Sequence, residues 1–127
     1  MTSIAYDSGL TCALQVRNLA SAMQWYQNVL GFKLLYTADH MKWAELSTGV
    51  PGVNLGLLEV EQVEGKGGAT LTWGVKDIRE ARRVMAGQGV KFEGEIIEHP
   101  GLALLTTFYD PDGNRMMLSQ DLAPKSK

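Results

Sequence analysis

The chain has 127 residues, of which 45% are hydrophobic and 20% are charged, and its formal net charge is −2 at pH 7. This balance is typical of one folded domain and excludes a disordered or fibrous protein. The 12 Lys and Arg do not outnumber the 14 Asp and Glu, so we expect no basic surface for a nucleic-acid backbone. No apolar run reaches the roughly 20 residues of a membrane-spanning helix, and Met1–Tyr6 lacks the pattern of a signal peptide. We expect a cytoplasmic protein that binds neither nucleic acid nor membrane.

A short motif occurs twice along the chain. The segment Val16–Leu19 (Val-Arg-Asn-Leu) recurs as Val75–Ile78 (Val-Lys-Asp-Ile), and each copy is followed by an alanine, Ala22 or Ala81, on the next turn of the predicted helix. Self-similarity of this kind indicates a repeated supersecondary unit. Two copies of one unit therefore fill most of the chain.

The first copy is predicted to be a strand, a helix and three further strands. The apolar run Leu10–Val16 predicts the first strand, and Asn18 is a good N-cap for the helix that follows. Apolar residues at helical spacing continue to Leu30, and Gly31 suits the left-handed position after a helix. The remaining strands are predicted over Phe32–Thr37, Lys42–Ser47 and Val53–Val60.

The second copy repeats this order. Thr70–Val75 predicts its first strand, Asp77 the N-cap, and Ile78 the start of a helix that ends at Gly87 or Gly89. Its remaining strands are predicted over Val90–Glu98, Leu102–Tyr109 and Arg115–Gln120. We therefore predict a single α+β domain of two βαβββ modules in tandem, with module one over about residues 8–60, a glycine-rich linker over 61–68 and module two over about 69–121.

Three segments carry a resemblance to a known family. They are Leu14–Leu19, Trp25–Phe32 and the turn segment Phe108–Asn114 (Phe-Tyr-Asp-Pro-Asp-Gly-Asn). Together they resemble the vicinal oxygen chelate superfamily, which includes glyoxalase I, bleomycin-resistance proteins and extradiol dioxygenases. The resemblance implies that the two modules form a cupped mixed sheet with the helices outside, and that the protein is a homodimer.

The resemblance also implies where a metal would be held. Enzymes of this superfamily bind a divalent ion through His, Glu or Gln side chains on the strands. The matching positions here are Thr11, Gly56, Thr70 and Met117. A neutral hydroxyl, a thioether and a glycine cannot replace imidazole or carboxylate ligands. We therefore predict no metal site and no cofactor.

Strand alternation predicts which side chains line the cup. Residues that share a face with Thr11, Thr70 and Met117 point into it, and their neighbours pack against the helices. The predicted ligand-binding residues are Thr11, Ala13, Gln15, Trp43, Glu45, Leu58, Thr70, Thr72, Arg115, Met117 and Ser119. Small hydroxyls, one indole and a thioether favour a small, partly apolar or aromatic ligand.

Three functional hypotheses follow. The first is a metal-free protein that binds a small molecule in the cup, and no catalytic residue is assigned. The second is a metal-dependent lyase, isomerase or dioxygenase with displaced ligands such as Glu45, Glu59 or His99. The third is a dimeric scaffold without a ligand. His40 and His99 could each act as a general base, but both are predicted in turns, where an exposed side chain is the simpler interpretation.

Overall fold

The computed structural model describes residues 5, 7–64 and 69–122. The chain forms two compact units, Met1–Val63 (unit 1) and Glu64–Lys127 (unit 2). The boundary between the units falls inside the predicted linker, of which residues 65–68 lie outside the described part.

Unit 1 is a four-stranded mixed sheet with one helix. Its elements are β1 (Leu10–Val16), α1 (Leu19–Val29), β2 (Lys33–Ala38), β3 (Trp43–Ser47) and β4 (Val53–Glu59), with a short 3-10 turn at Asp39–Met41. The strand order is β1-β4-β3-β2. Strand β1 runs parallel to β4, and the β2–β3 and β3–β4 pairs are antiparallel.

Unit 2 repeats this topology. Its elements are β5 (Leu71–Gly74), α2 (Ile78–Gly87), β6 (Phe92–His99), β7 (Ala103–Tyr109) and β8 (Arg115–Asp121). The strand order is β5-β8-β7-β6, with the β5–β8 pair parallel. The structure thus contains two βαβββ modules in tandem, which confirms the predicted α+β fold. Their strands form two four-stranded sheets.

Most predicted element bounds agree with the structure to within two residues. The start of β6 shows the full two-residue difference, since the strand begins at Phe92 and not at Val90, and the cause is clear. Val90 was predicted as its first residue, but the Val90 N–H donates to the Met85 carbonyl (3.1 Å) and closes α2. The predicted alternative for the end of α2 is also decided: the helix ends at Gly87, and Gly89 takes the left-handed conformation (φ 89°).

The predicted N-caps are present in both units. The Asn18 side chain accepts a hydrogen bond from the Ser21 N–H at 2.9 Å, and the Asp77 side chain accepts one from the Glu80 N–H at 3.1 Å. Each side chain satisfies one of the donors that a helix leaves unpaired at its start.

A second cap comes from the last strand of each unit. Glu59 Oε1 accepts a hydrogen bond from the Leu19 N–H (3.0 Å), and Gln120 Oε1 accepts one from the Ile78 N–H (2.8 Å). These two N–H groups open the two helices, so the repeat extends to a tertiary contact. The sequence motif did not indicate this contact, because the two partners are far apart in the chain.

The core of each unit lies between its helix and one face of its sheet. In unit 1, α1 packs against β2, β3 and β4, and in unit 2, α2 packs against β7 and β8. The buried apolar residues are Val16, Ala22, Tyr26, Phe32, Ala44, Leu46, Leu55 and Leu57 in unit 1, and Ile78, Met85, Val90, Leu104, Phe108, Met116 and Leu118 in unit 2. Burial of this apolar surface is the main stabilising contribution to each unit.

The Asp-Pro-Asp-Gly-Asn segment forms the tight turn between β7 and β8. The buried Asp110 carboxylate accepts hydrogen bonds from the Asp112 N–H (2.9 Å), the Asn114 N–H (2.8 Å) and the Asn114 side-chain amide (2.9 Å). The turn predicted from the sequence is therefore built around one aspartate, in the manner of an Asx turn.

No helix in the described part of the chain is both long and apolar enough to span a membrane.

Candidate functional site

The strand register of unit 1 places a row of polar and aromatic side chains on the sheet face opposite α1. Residue Ala13 pairs with Gly56, and Gly56 pairs with Glu45 on its other side. Alternation from these positions brings together predicted residues from three strands, with Asn54 added. The residues that share this face include Thr11, Ala13, Gln15, Trp43, Glu45, Asn54, Gly56 and Leu58.

The Glu45 carboxylate is the centre of a hydrogen-bond cluster on this face. Its Oε1 accepts from the Tyr36 hydroxyl (2.8 Å) and from the Trp43 indole N–H (3.3 Å). Its Oε2 accepts from the Asn54 amide (3.0 Å) and from the Thr11 hydroxyl (3.4 Å). We call Glu45 and these four donors the Glu45 centre. It joins all four strands of the sheet through one side chain.

The four donors change the acidity of the groups they join. Hydrogen bonding from Asn54 is the main cause that lowers the pKa of Glu45, with smaller lowering by Tyr36, Trp43 and Thr11 and an opposing effect of desolvation. The hydrogen bond to Glu45 is the main cause that raises the pKa of the Tyr36 hydroxyl. At neutral pH the centre therefore holds an ionised carboxylate and a protonated phenol.

The indole of Trp43 lies against Gly56. A β-carbon at position 56 would lie 2.1 Å from both Cζ2 and Cη2 of Trp43, far inside contact distance. The sequence predicted Trp43 as an aromatic wall of the cup. The structure adds that the ring occupies the space that a side chain at position 56 would need.

The residues predicted from the sequence leave out two members of the Glu45 centre. Asn54 could have been found, because it follows the same alternation as Gly56 and Leu58. Tyr36 could not, because the register of β2 against β3 shifts between Leu34 and Tyr36, and simple alternation fails across such an irregularity.

The corresponding face of unit 2 carries the remaining predicted residues. Thr72 pairs with Met117, and Gly74 pairs with Ser119. The Arg115 guanidinium donates to the Thr70 hydroxyl at 3.3 Å. The predicted residues Thr70, Thr72, Arg115, Met117 and Ser119 thus lie on or beside adjacent strands. On the same face, Tyr109 pairs with Arg115, which the sequence did not indicate.

Tyr109 has its own acidic partner. Its hydroxyl donates to Glu93 of β6, and this hydrogen bond is the main cause that raises the pKa of Tyr109. Unit 2 therefore has a tyrosine–glutamate pair, as unit 1 does, but the residue that corresponds to Glu45 by register is Thr107, which pairs with Met117.

A pocket of about 520 Å³ opens at the ends of β5 and β8. Among the predicted residues only Ser119 lines it, together with Lys76, Gln120 and Asp121. The Gln120 side chain in its wall is already used to cap α2. We therefore place the candidate site at the Glu45 centre, where aromatic and polar groups converge, rather than in this pocket.

Residues 10–118 match the family model described as the glyoxalase/bleomycin resistance protein/dioxygenase superfamily. The chain belongs to this superfamily. The resemblance predicted from the motif segments is thereby confirmed. No curated protein matches the sequence significantly.

Solved structures of the superfamily share the fold at low sequence identity. A superfamily member from Sphaerobacter thermophilus is 24% identical, with a TM-score of 0.79 over 93% of this chain and 98% of that chain. A glyoxalase/bleomycin resistance protein from Streptomyces is 23% identical, with a TM-score of 0.71 over 88% and 99%. The fosfomycin resistance protein FosX from Listeria monocytogenes, in complex with Mn(II) and sulfate, is 18% identical, with a TM-score of 0.73 over 94% and 92%.

The metal that the superfamily implies does not fit the side chains of this member. Gly56 pairs with Ala13 in unit 1, and Met117 pairs with Thr72, the corresponding residue of the repeat, in unit 2. By register, Gly56 and Met117 therefore occupy equivalent positions. Position 56 has no side chain and is covered by Trp43, and the Thr11 hydroxyl donates to Glu45. Among the described residues, no group of three His, Cys, Asp or Glu side chains is placed to hold a metal ion.

Each displaced ligand named by the enzyme hypothesis is either engaged in hydrogen bonds or exposed. Glu45 has all four of its acceptor positions used by donors. Glu59 alternates to the helix side of the sheet and caps α1. The side chains of His40 and His99 are exposed, His40 in the turn after β2 and His99 at the end of β6. Glu45 and Glu59 therefore lie on opposite faces of one sheet.

Proposed function

We propose that this protein is a metal-free member of the superfamily that binds a small, partly apolar or aromatic molecule. One observation carries the proposal. In unit 1, both positions that would carry a metal ligand by resemblance to the superfamily make other contacts: the Thr11 hydroxyl donates to Glu45, and the Trp43 ring covers Gly56. A divalent ion needs anionic oxygen or imidazole nitrogen, which these positions do not offer.

The face of unit 1 supplies the contacts that a small aromatic ligand uses. The half-buried indole of Trp43 offers a flat apolar surface, and Leu58 pairs directly with it across β3 and β4. Gln15 and the Glu45 centre add polar groups at the border of this apolar area. Binding sites for small molecules combine these two features, a mostly apolar wall and a few oriented polar groups.

Native mass spectrometry of the full chain, purified without chelator and then mixed with excess Mn²⁺ or Zn²⁺, tests the metal-free part of the proposal. We expect a homodimer that holds no divalent ion after buffer exchange. One tightly held ion per chain would contradict the proposal and favour the metal-dependent enzyme. A monomer would contradict only the dimer, which rests on the superfamily resemblance.

Tryptophan fluorescence with a soluble aromatic probe, 4-tert-butylphenol, tests the binding part. We expect the probe to quench the tryptophan fluorescence saturably. We expect Trp43→Phe to weaken the affinity for the probe several-fold, because the smaller ring offers less contact area. The matched control is Trp25→Phe, since Trp25 lies on α1 against Tyr26 (4.8 Å between ring centroids). Absence of saturable binding by any aromatic probe would overturn the proposal and favour a scaffold.

A further inference from the structure

Among the residues that the structure describes, all the hydrogen-bond donors to the Glu45 carboxylate are neutral groups. Its four partners are a phenol, an indole N–H, an amide and an aliphatic hydroxyl. No lysine, arginine or histidine of the described residues forms an ion pair with it, and no cation contributes to the lowering of its pKa. The carboxylate therefore keeps a net negative charge that the protein does not neutralise within the centre.

Two aromatic rings flank this charge. The Tyr36 hydroxyl and the Trp43 indole N–H both donate to the same oxygen, Oε1, so both rings lie next to the carboxylate. Tyr36 is 50% exposed, and Trp43 is half-buried. The faces of phenol and indole rings attract cations, and a nearby carboxylate adds to this attraction.

The hydrogen bonding of the carboxylate restricts the kind of cation. A carboxylate accepts about four hydrogen bonds, and Glu45 already accepts four. A primary ammonium or a guanidinium would have to displace Tyr36, Trp43, Thr11 or Asn54 to bond to Glu45. A quaternary ammonium has no N–H to donate and interacts through charge and ring contact alone.

We propose that the Glu45 centre selects ligands that carry a quaternary ammonium group on an apolar or aromatic body. The proposal rests on the proposed function, because it names the class of small molecule that the face of unit 1 binds. We also expect the Glu45 centre to bind phosphonates and other anions poorly, because its carboxylate repels them.

Three probes of one shape and different charge test the selection on the unaltered full chain. They are 4-hydroxyphenyltrimethylammonium, its neutral isostere 4-tert-butylphenol, and the anion 4-hydroxybenzenesulfonate. Binding is followed by the indole N–H resonance of Trp43, assigned with Trp43→Phe. We expect the cation to bind about ten-fold more tightly than the neutral isostere, and the anion to bind more weakly than both.

The variant Glu45→Gln tests the origin of the selection. We expect it to reduce the preference for the cation to about two-fold or less, because it removes the charge but keeps the size of the side chain. The matched control Glu61→Gln removes the same charge from an exposed site in the same unit and keeps the preference. If Glu45→Gln fails to fold, the binding of the probes to the unaltered chain is measured at raised salt concentration instead. We expect salt to weaken the binding of the cation more than the binding of the neutral isostere.

The outcomes separate this inference from the proposed function. Equal binding of the cation and the neutral isostere would overturn the cation selection and leave small-molecule binding intact. Stronger binding of the sulfonate than of the cation would also overturn the cation selection. Failure of all three probes to move the Trp43 resonance would overturn both proposals.

Discussion

The indole of Trp43 occupies the space that a side chain at position 56 would need, since a β-carbon added to Gly56 would lie 2.1 Å from two ring atoms of Trp43. The two residues lie on adjacent strands, and the ring reaches across to the strand position that, by resemblance, would carry a metal ligand. A side chain at position 56 and the present orientation of Trp43 therefore exclude each other. The present position of the indole therefore requires glycine at position 56.

Gly56→Ala is expected to force the indole away from its position. We expect a loss of about 1–3 kcal/mol in the free energy of unfolding, as for other overpacked sites, and a shift of the Trp43 indole resonance. Urea unfolding and the NMR spectrum measure the two effects. Gly74→Ala is the control, because a β-carbon there meets no atom within 4 Å. An unchanged stability and resonance in Gly56→Ala would show that the ring does not lie on Gly56.

The Glu45 centre is expected to make stability depend on pH. The pKa of Glu45 is lowered in the folded state, so its contribution is present above the ordinary pKa of a glutamate and is lost as the pH falls through the lowered value. Between neutral pH and a pH of about 3, the unaltered chain should therefore lose more stability than Glu45→Gln. Urea unfolding across this range measures the difference. Parallel pH profiles for the two proteins would rule out this contribution, and Glu61→Gln controls for the loss of a surface charge.

The caps from the last strands are expected to stabilise both helices. Glu59→Ala and Gln120→Ala each leave the first N–H of a helix without its acceptor, so we expect a loss of about 1–2 kcal/mol for each. Glu59→Gln keeps the accepting oxygen and should cost much less. Chemical denaturation compares the three variants. A Glu59→Gln variant as unstable as Glu59→Ala would mean that charge, not hydrogen bonding, is what Glu59 supplies.

The turn between β7 and β8 is expected to depend on Asp110. Asp110→Ala removes the acceptor of two backbone N–H groups and one side-chain amide at a buried position, so we expect a loss of about 2–3 kcal/mol. Asp110→Asn keeps one oxygen that can accept the backbone donors, and its loss should be smaller. Thermal and urea unfolding test this order. Equal losses in the two variants would contradict the role assigned to the backbone hydrogen bonds.

Much of the fold could be predicted because its signals are local. The caps Asn18 and Asp77 accept from residues of the first helical turn, and the left-handed Gly31 follows Leu30, the C-cap of α1. Strand alternation also predicted that Trp43 and Glu45 share a face opposite Ala44 and Leu46, and the latter two are fully buried. Each of these features depends on residues close in the chain.

The candidate site depends on contacts between strands, which local patterns do not contain. The sequence could place Thr11, Trp43 and Glu45 on one face, but not show that Glu45 accepts from both of the others. Whether those predicted lining residues bind a ligand remains a prediction.

The sequence by itself determined two βαβββ modules and their helix caps, because hydrophobic period, capping residues and turn glycines act over a few neighbouring residues. Only the tertiary structure decided that Glu45 accepts hydrogen bonds from residues of all four strands and that Trp43 fills the space above Gly56. Pairing register and the irregularity before Tyr36 set those distances. Register arises when separate strands pack on a common core, so it cannot be obtained from any one strand alone.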